Sequence, residues 1–181
     1  MSAPNLLIHV CCAPCLVAPY YDLKVQGMDV TGFWFNPNIH PLTEYRLRLQ
    51  TLQDFAGREQ LSMIYRDEYN LDDFLRMAAF HETERCEGCY RLRLKATVQQ
   101  AQAGGFDCWT STLFYSRYQN HDLMRVVAEE LATEYGVPFY YHDFREFWQH
   151  GIELSKEQEM YRQKYCGCIY SERDRYERKK K

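Results

Sequence analysis

Short apolar runs alternate with stretches of helical length along most of this chain. Residues 6–10 form a nearly continuous apolar run, and similar runs follow at 30–35, 61–65, 106–113 and 137–141. Runs of this length with apolar residues at consecutive positions suit strands covered on both faces. Between them, apolar residues at helical spacing predict helices near 16–26, 42–56, 71–80, 88–103 and 121–135. Gly27, Gly57 and Gly104-Gly105 read as helix stops, and Asn70 and Asn120 as N-caps. Ser155-Lys156-Glu157-Gln158 has the capping-box pattern and is expected to open a last short helix. Strands separated by helices pair in parallel through right-handed crossovers. The expectation is one doubly wound α/β domain over residues 1–181, with a mostly parallel sheet and a C-terminal extension over about 143–171. At 181 residues the chain is long enough to bury a sizeable core.

In such a sheet the working crevice lies beyond the carboxyl ends of the strands, beside the first one. A nucleotide-binding protein places a glycine-rich loop there, so that backbone amides can approach phosphate. Here the position holds Cys11-Cys12-Ala13-Pro14-Cys15, with no glycine. A thiolate site is the better reading, and Cys11 and Cys12 fall in the crevice. Four of the remaining five cysteines make two further groups, Cys86-Glu87-Gly88-Cys89 and Cys166-Gly167-Cys168.

The start of the chain lacks the charged segment and apolar stretch of a secretory signal, and no apolar run is long enough to span a membrane. A cytoplasmic location is therefore expected, where structural disulfides are disfavoured and clustered thiols serve metals or redox chemistry. Cys86 and Cys89 have a spacing that lets both sulfurs reach one metal centre. Their place at the start of a helix is expected to lower their pKa, because the positive end of the dipole favours a thiolate. With the group at the crevice they suggest a four-thiolate centre, which zinc and an iron–sulfur cluster both accept. The adjacent pair Cys11-Cys12 makes a poor zinc knuckle, which favours the bulkier cluster without closing the alternative. Cys15 reads as a further ligand or a packed thiol. Cys108, within a strand, reads as a small buried hydrophobe. The bend at Cys166-Gly167-Cys168 brings two sulfurs close, as a redox-active dithiol or a secondary metal site would require.

These motifs together resemble a known family. His9-Val10-Cys11-Cys12-Ala13-Pro14-Cys15, Cys86-Glu87-Gly88-Cys89-Tyr90-Arg91-Leu92-Arg93-Leu94, Thr110-Ser111-Thr112-Leu113 and Tyr161-Arg162-Gln163-Lys164-Tyr165-Cys166-Gly167-Cys168-Ile169-Tyr170-Ser171 occur in order. Their combination is similar to the cobalamin-independent epoxyqueuosine reductases, over residues 6 to 171. Asn36-Pro37-Asn38-Ile39-His40-Pro41 and Glu44-Tyr45-Arg46 also fit that pattern. The resemblance implies an adenine-nucleotide hydrolase-like fold and a reductive loss of the epoxide oxygen of epoxyqueuosine at the tRNA wobble position. It implies a [4Fe–4S] cluster held by Cys11, Cys12, Cys86 and Cys89, with Cys15 a candidate ligand for an additional mononuclear iron. On that reading an iron near Cys15 polarises the epoxide oxygen, and Cys166 and Cys168 add an electron pair or close over the site. The partners implied are tRNA carrying epoxyqueuosine and an electron donor of unknown identity.

The tRNA-facing surface is expected to include Arg91, Arg93, Lys95 and Arg117, with Arg46, Arg48 and Lys164 as further phosphate contacts. The net charge of −3 hides an uneven spread: residues 171–181 carry six basic and three acidic side chains. That basic tail, over about 172–181, reads as a phosphate-seeking arm or a solvated terminus. Tyr115, Tyr118, Trp34 and Phe35 are candidates for stacking on anticodon bases, although Trp34 and Phe35 point to opposite faces of a strand and at least one belongs to the core. His9 reads as a satisfied core histidine. His40, His121, Asp143 and Tyr165 are candidate proton donors. Two rivals stand beside the reductase: a zinc-stabilised tRNA-binding module, and a cluster-dependent tRNA thiolation enzyme, against which the missing glycine loop argues.

Overall fold

The computed structural model describes residues 3–177, so residues 178–181 of the basic tail lie outside the described residues. Four strands, β1 (Asn5–His9), β2 (Asp29–Trp34), β3 (Ser62–Tyr65) and β4 (Cys108–Ser111), pair in parallel in the order β3-β2-β1-β4. The seven α-helices are α1 (Ala13–Val25), α2 (Leu42–Glu59), α3 (Leu71–Ala78), α4 (Arg85–Gly104), α5 (His121–Tyr135), α6 (Trp148–Glu157) and α7 (Ile169–Tyr176). Helix α1 packs against α2 and α6, while α4 packs against α5 and contacts β1 and β4. The doubly wound α/β architecture is therefore as expected. Strand β1 lies between β2 and β4, and Leu6, Leu7, Ile8 and His9 are all fully buried, which is why its sequence lacks polar alternation.

The strand order reverses at β1. The chain leaves it toward β2 and β3, then returns to add β4 on the other side. The carboxyl ends of β1 and β4 therefore flank the switch point, where an open α/β sheet splays to form a crevice.

Several boundaries differ from those expected, for local reasons. The run at 137–141 makes only one parallel bridge, between Trp109 and Phe139. Pro138 there has no amide hydrogen to extend the ladder. Strand β4 is shorter than its apolar run because Ser111 Oγ accepts from the Leu113 amide (3.1 Å), starting a 3-10 turn at Thr112–Tyr115. Helix α2 passes through Gly57 and ends where Gln60 takes a left-handed conformation, with the Leu61 amide donating to the Ala56 carbonyl (2.9 Å). Burial of Phe55 and Ala56 offsets the glycine. Ser155 opens no helix. It lies near the end of α6 with its hydroxyl on the Ile152 carbonyl (2.8 Å), and that helix follows a 3-10 turn capped by Asp143. Helix α4 begins at Arg85, which places Cys86 and Cys89 on its opening turns.

Candidate active site

The chain bends at Cys11 after β1, Cys12 is extended, and α1 begins at once at Ala13, with Pro14 in its first turn where no amide hydrogen is needed. This sharp change folds Cys15 back over the preceding loop. The sulfurs of Cys11, Cys12 and Cys15 all lie within 4.8 Å of one another, and all three residues are buried. Thr112, from the carboxyl end of β4, closes one side. Its hydroxyl accepts from the Cys11 amide (3.0 Å) and donates to the Cys11 sulfur (3.3 Å). Gln163, from the C-terminal extension, closes another by donating from Nε2 to Cys12 Sγ (2.9 Å) and Cys15 Sγ (3.3 Å).

The second cysteine pair approaches on α4. Cys89 is half-buried and accepts a hydrogen bond from Asn38 Nδ2 (2.8 Å), and Asn38 Oδ1 accepts in turn from Arg93 Nε (2.8 Å). Cys86 is exposed at the rim. Cys166 is exposed and Cys168 half-buried. The thiol triad thus comprises Cys11, Cys12 and Cys15, while Cys86 and Cys89 stand outside that group.

Charge is distributed unequally among these thiols. Hydrogen bonds from Cys12 and Cys15, outweighing burial, hold the Cys11 thiol well below its ordinary range, with Thr112 assisting. Burial pushes Cys12 up, and hydrogen bonding to Cys11 and Cys12 pushes Cys15 up. Of the three, Cys11 is the thiol most easily deprotonated. Burial also raises Cys86 and Cys89, against Arg85 and Arg93 respectively. The helix dipole was expected to depress both; desolvation wins because the ionised thiol has to leave water. Protein atoms crowd Cys166 although its residue keeps exposed surface, and its thiol is pushed up to about 12.

His9 is fully buried, with Nδ1 at Ser111 Oγ (2.9 Å) and Nε2 donating to the Phe35 carbonyl (3.2 Å), a satisfied core histidine. His40 Nδ1 accepts from the Ile169 amide (3.4 Å), whereas its buried Nε2 has no partner among the described residues. Burial, then Arg93, lowers the His40 pKa to about 4. Its depressed value means that the unfolded chain binds more protons than the native state between about pH 6.5 and 4. Stability is then full above the unfolded pKa and falls on acidification through that window, with a slope of up to about 1.4 kcal/mol per pH unit for one histidine. Urea unfolding of the reduced, metal-free protein at pH 7 and pH 5 reads this, and His40→Gln lessens the dependence, leaving the share of His9, whose pKa burial also lowers to about 4. An equal slope in wild type and variant would refute it.

The basic residues do not form one patch. Arg93 is buried and faces the thiols, which corrects its expected place on a tRNA-facing surface; Arg48 is buried as well. Burial follows from their side chains' inward partners, Asn38 for Arg93 and Glu44 for Arg48. Arg91 is exposed and pairs with Glu87 and Glu130, and Lys95 lies over the Tyr135 ring. Arg117 is exposed on another side, above Trp148. Trp34, Phe35 and Tyr115 are all core residues, leaving Tyr118 as the exposed aromatic of that set. Asp143 and Tyr165 already serve Arg145 and the His40 carbonyl, and His121 meets Tyr141. Cys108 packs against the core at its edge.

Thr112, Asn38 and Gln163 were not singled out from the sequence as thiol partners. Only their place in family-like segments marked them, because an amide or hydroxyl has no spacing signature.

A doubly wound α/β domain with thiols in place of a phosphate loop at its switch point defines a class: an α/β protein whose thiol triad can take a metal ion. Comparison with known proteins narrows it. The chain belongs to the epoxyqueuosine reductase QueH family, whose model matches residues 6–174. Relatives named epoxyqueuosine reductase QueH include that of Dehalococcoides mccartyi, 35% identical over 174 residues and covering 96% of both chains. Those of Thermotoga maritima and Acinetobacter baylyi are 33% and 34% identical, covering 96% of this chain and 93% and 83% of their own.

Proposed function

We propose that this protein is an epoxyqueuosine reductase acting on tRNA. The epoxide oxygen of epoxyqueuosine leaves as water while two electrons and two protons are taken up, giving the alkene of queuosine. The convergence of three buried thiols at the switch point, in a chain of this family, carries the reading.

The donor set suits the group that the reaction needs. Thiolates are soft ligands that favour iron–sulfur clusters and zinc, and Asn38, Thr112 and Gln163 aim hydrogen-bond donors at the sulfurs, as charged thiolates require. In our reading Cys11, Cys12, Cys86 and Cys89 hold a [4Fe–4S] cluster, and Cys15 holds an additional mononuclear iron. When bound, such a group supplies electrons one at a time and a Lewis-acidic iron. Cys166 and Cys168 form the redox-active pair, supplying two electrons as a dithiol becomes a disulfide and two protons are released. An external reductant restores the dithiol.

His40, whose ring nitrogen Nε2 has no partner among the described residues, is our candidate proton donor. Arg91, Lys95 and Arg117 offer charge to the tRNA backbone from the surface, whereas the buried Arg93 acts on the thiols. We assign the reaction to the cytoplasm, and no helix among the described residues is long and apolar enough to cross a membrane.

Anaerobic reconstitution with iron and sulfide should give a coloured protein that bleaches on reduction. The reduced protein should convert epoxyqueuosine to queuosine in tRNA, read by nucleoside mass. A colourless protein that retains stoichiometric zinc and converts nothing would overturn the proposal in favour of a zinc-stabilised binding module.

A further inference from the structure

The mechanism above leaves one buried ionic group unused. Glu44 and Arg48 lie one turn apart on α2, with Arg48 Nε on Glu44 Oε1 (2.7 Å), and both are buried. Neither side chain hydrogen-bonds a thiol among the described residues. Their remaining polar atoms all reach the segment that carries Cys166 and Cys168. Arg48 donates from one terminal nitrogen to the Cys166 carbonyl (2.8 Å) and from the other to the Tyr165 carbonyl (3.0 Å). Glu44 Oε2 accepts from the Tyr161 hydroxyl (2.5 Å). The guanidinium also lies over the Tyr165 ring.

The opposite side of the same bend is held by His40. Its amide donates to the Gly167 carbonyl (2.7 Å), its carbonyl accepts from the Tyr165 hydroxyl (2.5 Å), and its ring accepts from the Ile169 amide (3.4 Å). Between the two grips Gly167 has φ +154°, and a Cβ there would stand 3.2 Å from Ile39 and 3.4 Å from Arg48. Only glycine fits this bend without strain. Gln163, which touches Cys12 and Cys15, lies between the gripped residues Tyr161 and Tyr165.

We infer that the Glu44–Arg48 pair is a positioning device that clamps the Cys166-Gly167-Cys168 bend over the thiol site. A buried ion pair adds little net stability over an apolar pair of the same shape, so its value here lies in fixing one geometry. Arg48 is suited to this because its planar fork satisfies two successive carbonyls and the carboxylate at once, which a lysine ammonium cannot do at the same spacing. The inference rests on the proposed reductase activity for its kinetic consequence, and stands independently of it for its structural one.

The test removes both charges together, as Glu44→Gln with Arg48→Met, so that neither is left buried alone. The His40 amide is the reporter, because its partner is the Gly167 carbonyl on the clamped bend. Its hydrogen exchange in the double variant should accelerate by about tenfold or more, while amides of β1 keep wild-type protection. In the reconstituted enzyme, kcat should fall by about a hundredfold with iron content, absorbance and KM unchanged, as expected when reacting groups lose alignment. Arg48→Lys, which retains the charge and one donor direction, should give intermediate values for both. Wild-type exchange at His40 in the folded double variant would overturn the inference, and so would accelerated exchange with undiminished kcat. If the double variant also loses β1 protection, the Arg48→Lys exchange rate decides in the same way. Should the wild-type protein convert no epoxyqueuosine, the reductase reading fails while the exchange contrast still tests the clamp.

Discussion

Replacing Cys11 by serine is expected to reduce conversion of epoxyqueuosine in tRNA to background while leaving the protein folded. The serine keeps nearly the same volume, and the bond from the Cys11 amide to Thr112 involves only backbone at that position. What is lost is the soft thiol that its neighbours make the most easily deprotonated of the three. A serine hydroxyl stays protonated at neutral pH and is a hard ligand, so neither iron nor zinc recovers the site. Bound iron after reconstitution should fall in step with turnover. Cys108→Ser, at the far end of β4 from Thr112, serves as the control and should retain both. Turnover by Cys11→Ser within about tenfold of wild type, the scale of a lost supporting contact rather than a lost ligand, would remove Cys11 from the ligand set.

The second large effect concerns Arg93→Met, where stability and metal binding should move in opposite directions. Arg93 is buried with no carboxylate partner among the described residues; its one side-chain acceptor is Asn38. Its charge acts instead on its surroundings, opposing the upward shifts of Cys89 and Cys166 and adding to the downward shifts of His9 and His40. Methionine fills much of the same volume without a charge to desolvate, so the metal-free protein should unfold at equal or higher denaturant concentration. Thiols must lose their protons to bind metal. With the cation gone that step is harder, and metal affinity should drop by about 10- to 100-fold, as for other supporting groups around a metal. Denaturant midpoints of the metal-free protein, with competitive chelator titration of the loaded one, measure the two halves. Lower stability with unchanged affinity would make Arg93 a packing residue only.

Strand and helix identities were legible where burial is uniform along an element. Leu6 to Ile8 advertise a central strand because both faces are covered, and the absence of glycine after them argues against a phosphate loop. The triad of Cys11, Cys12 and Cys15 was legible as a cysteine-rich loop. Its compactness was not, because it depends on α1 beginning directly at Ala13. Arg93 and Arg48 were misread as surface charges for a general reason. Helical spacing shows which residues share a face, but not that a face has buried amides, carboxylates or carbonyls waiting for it. Thiol acidity at α4 went astray because position on a helix is visible in sequence and depth of burial is not. The edge segment at 137–141 carried a strand's composition, yet a single proline limited it to one bridge.

The bonds from Gln163 to Cys12 and Cys15 join residues 151 and 148 positions apart. A ribosome adding roughly 5–20 residues per second therefore makes the thiols several seconds to half a minute before the segment that covers them. Throughout that interval Cys11, Cys12 and Cys15 are present in a chain that lacks Gln163, Arg93's neighbours on the bend, and the clamp on α2 has nothing to hold. Maturation thus has a built-in order: thiols first, cover last.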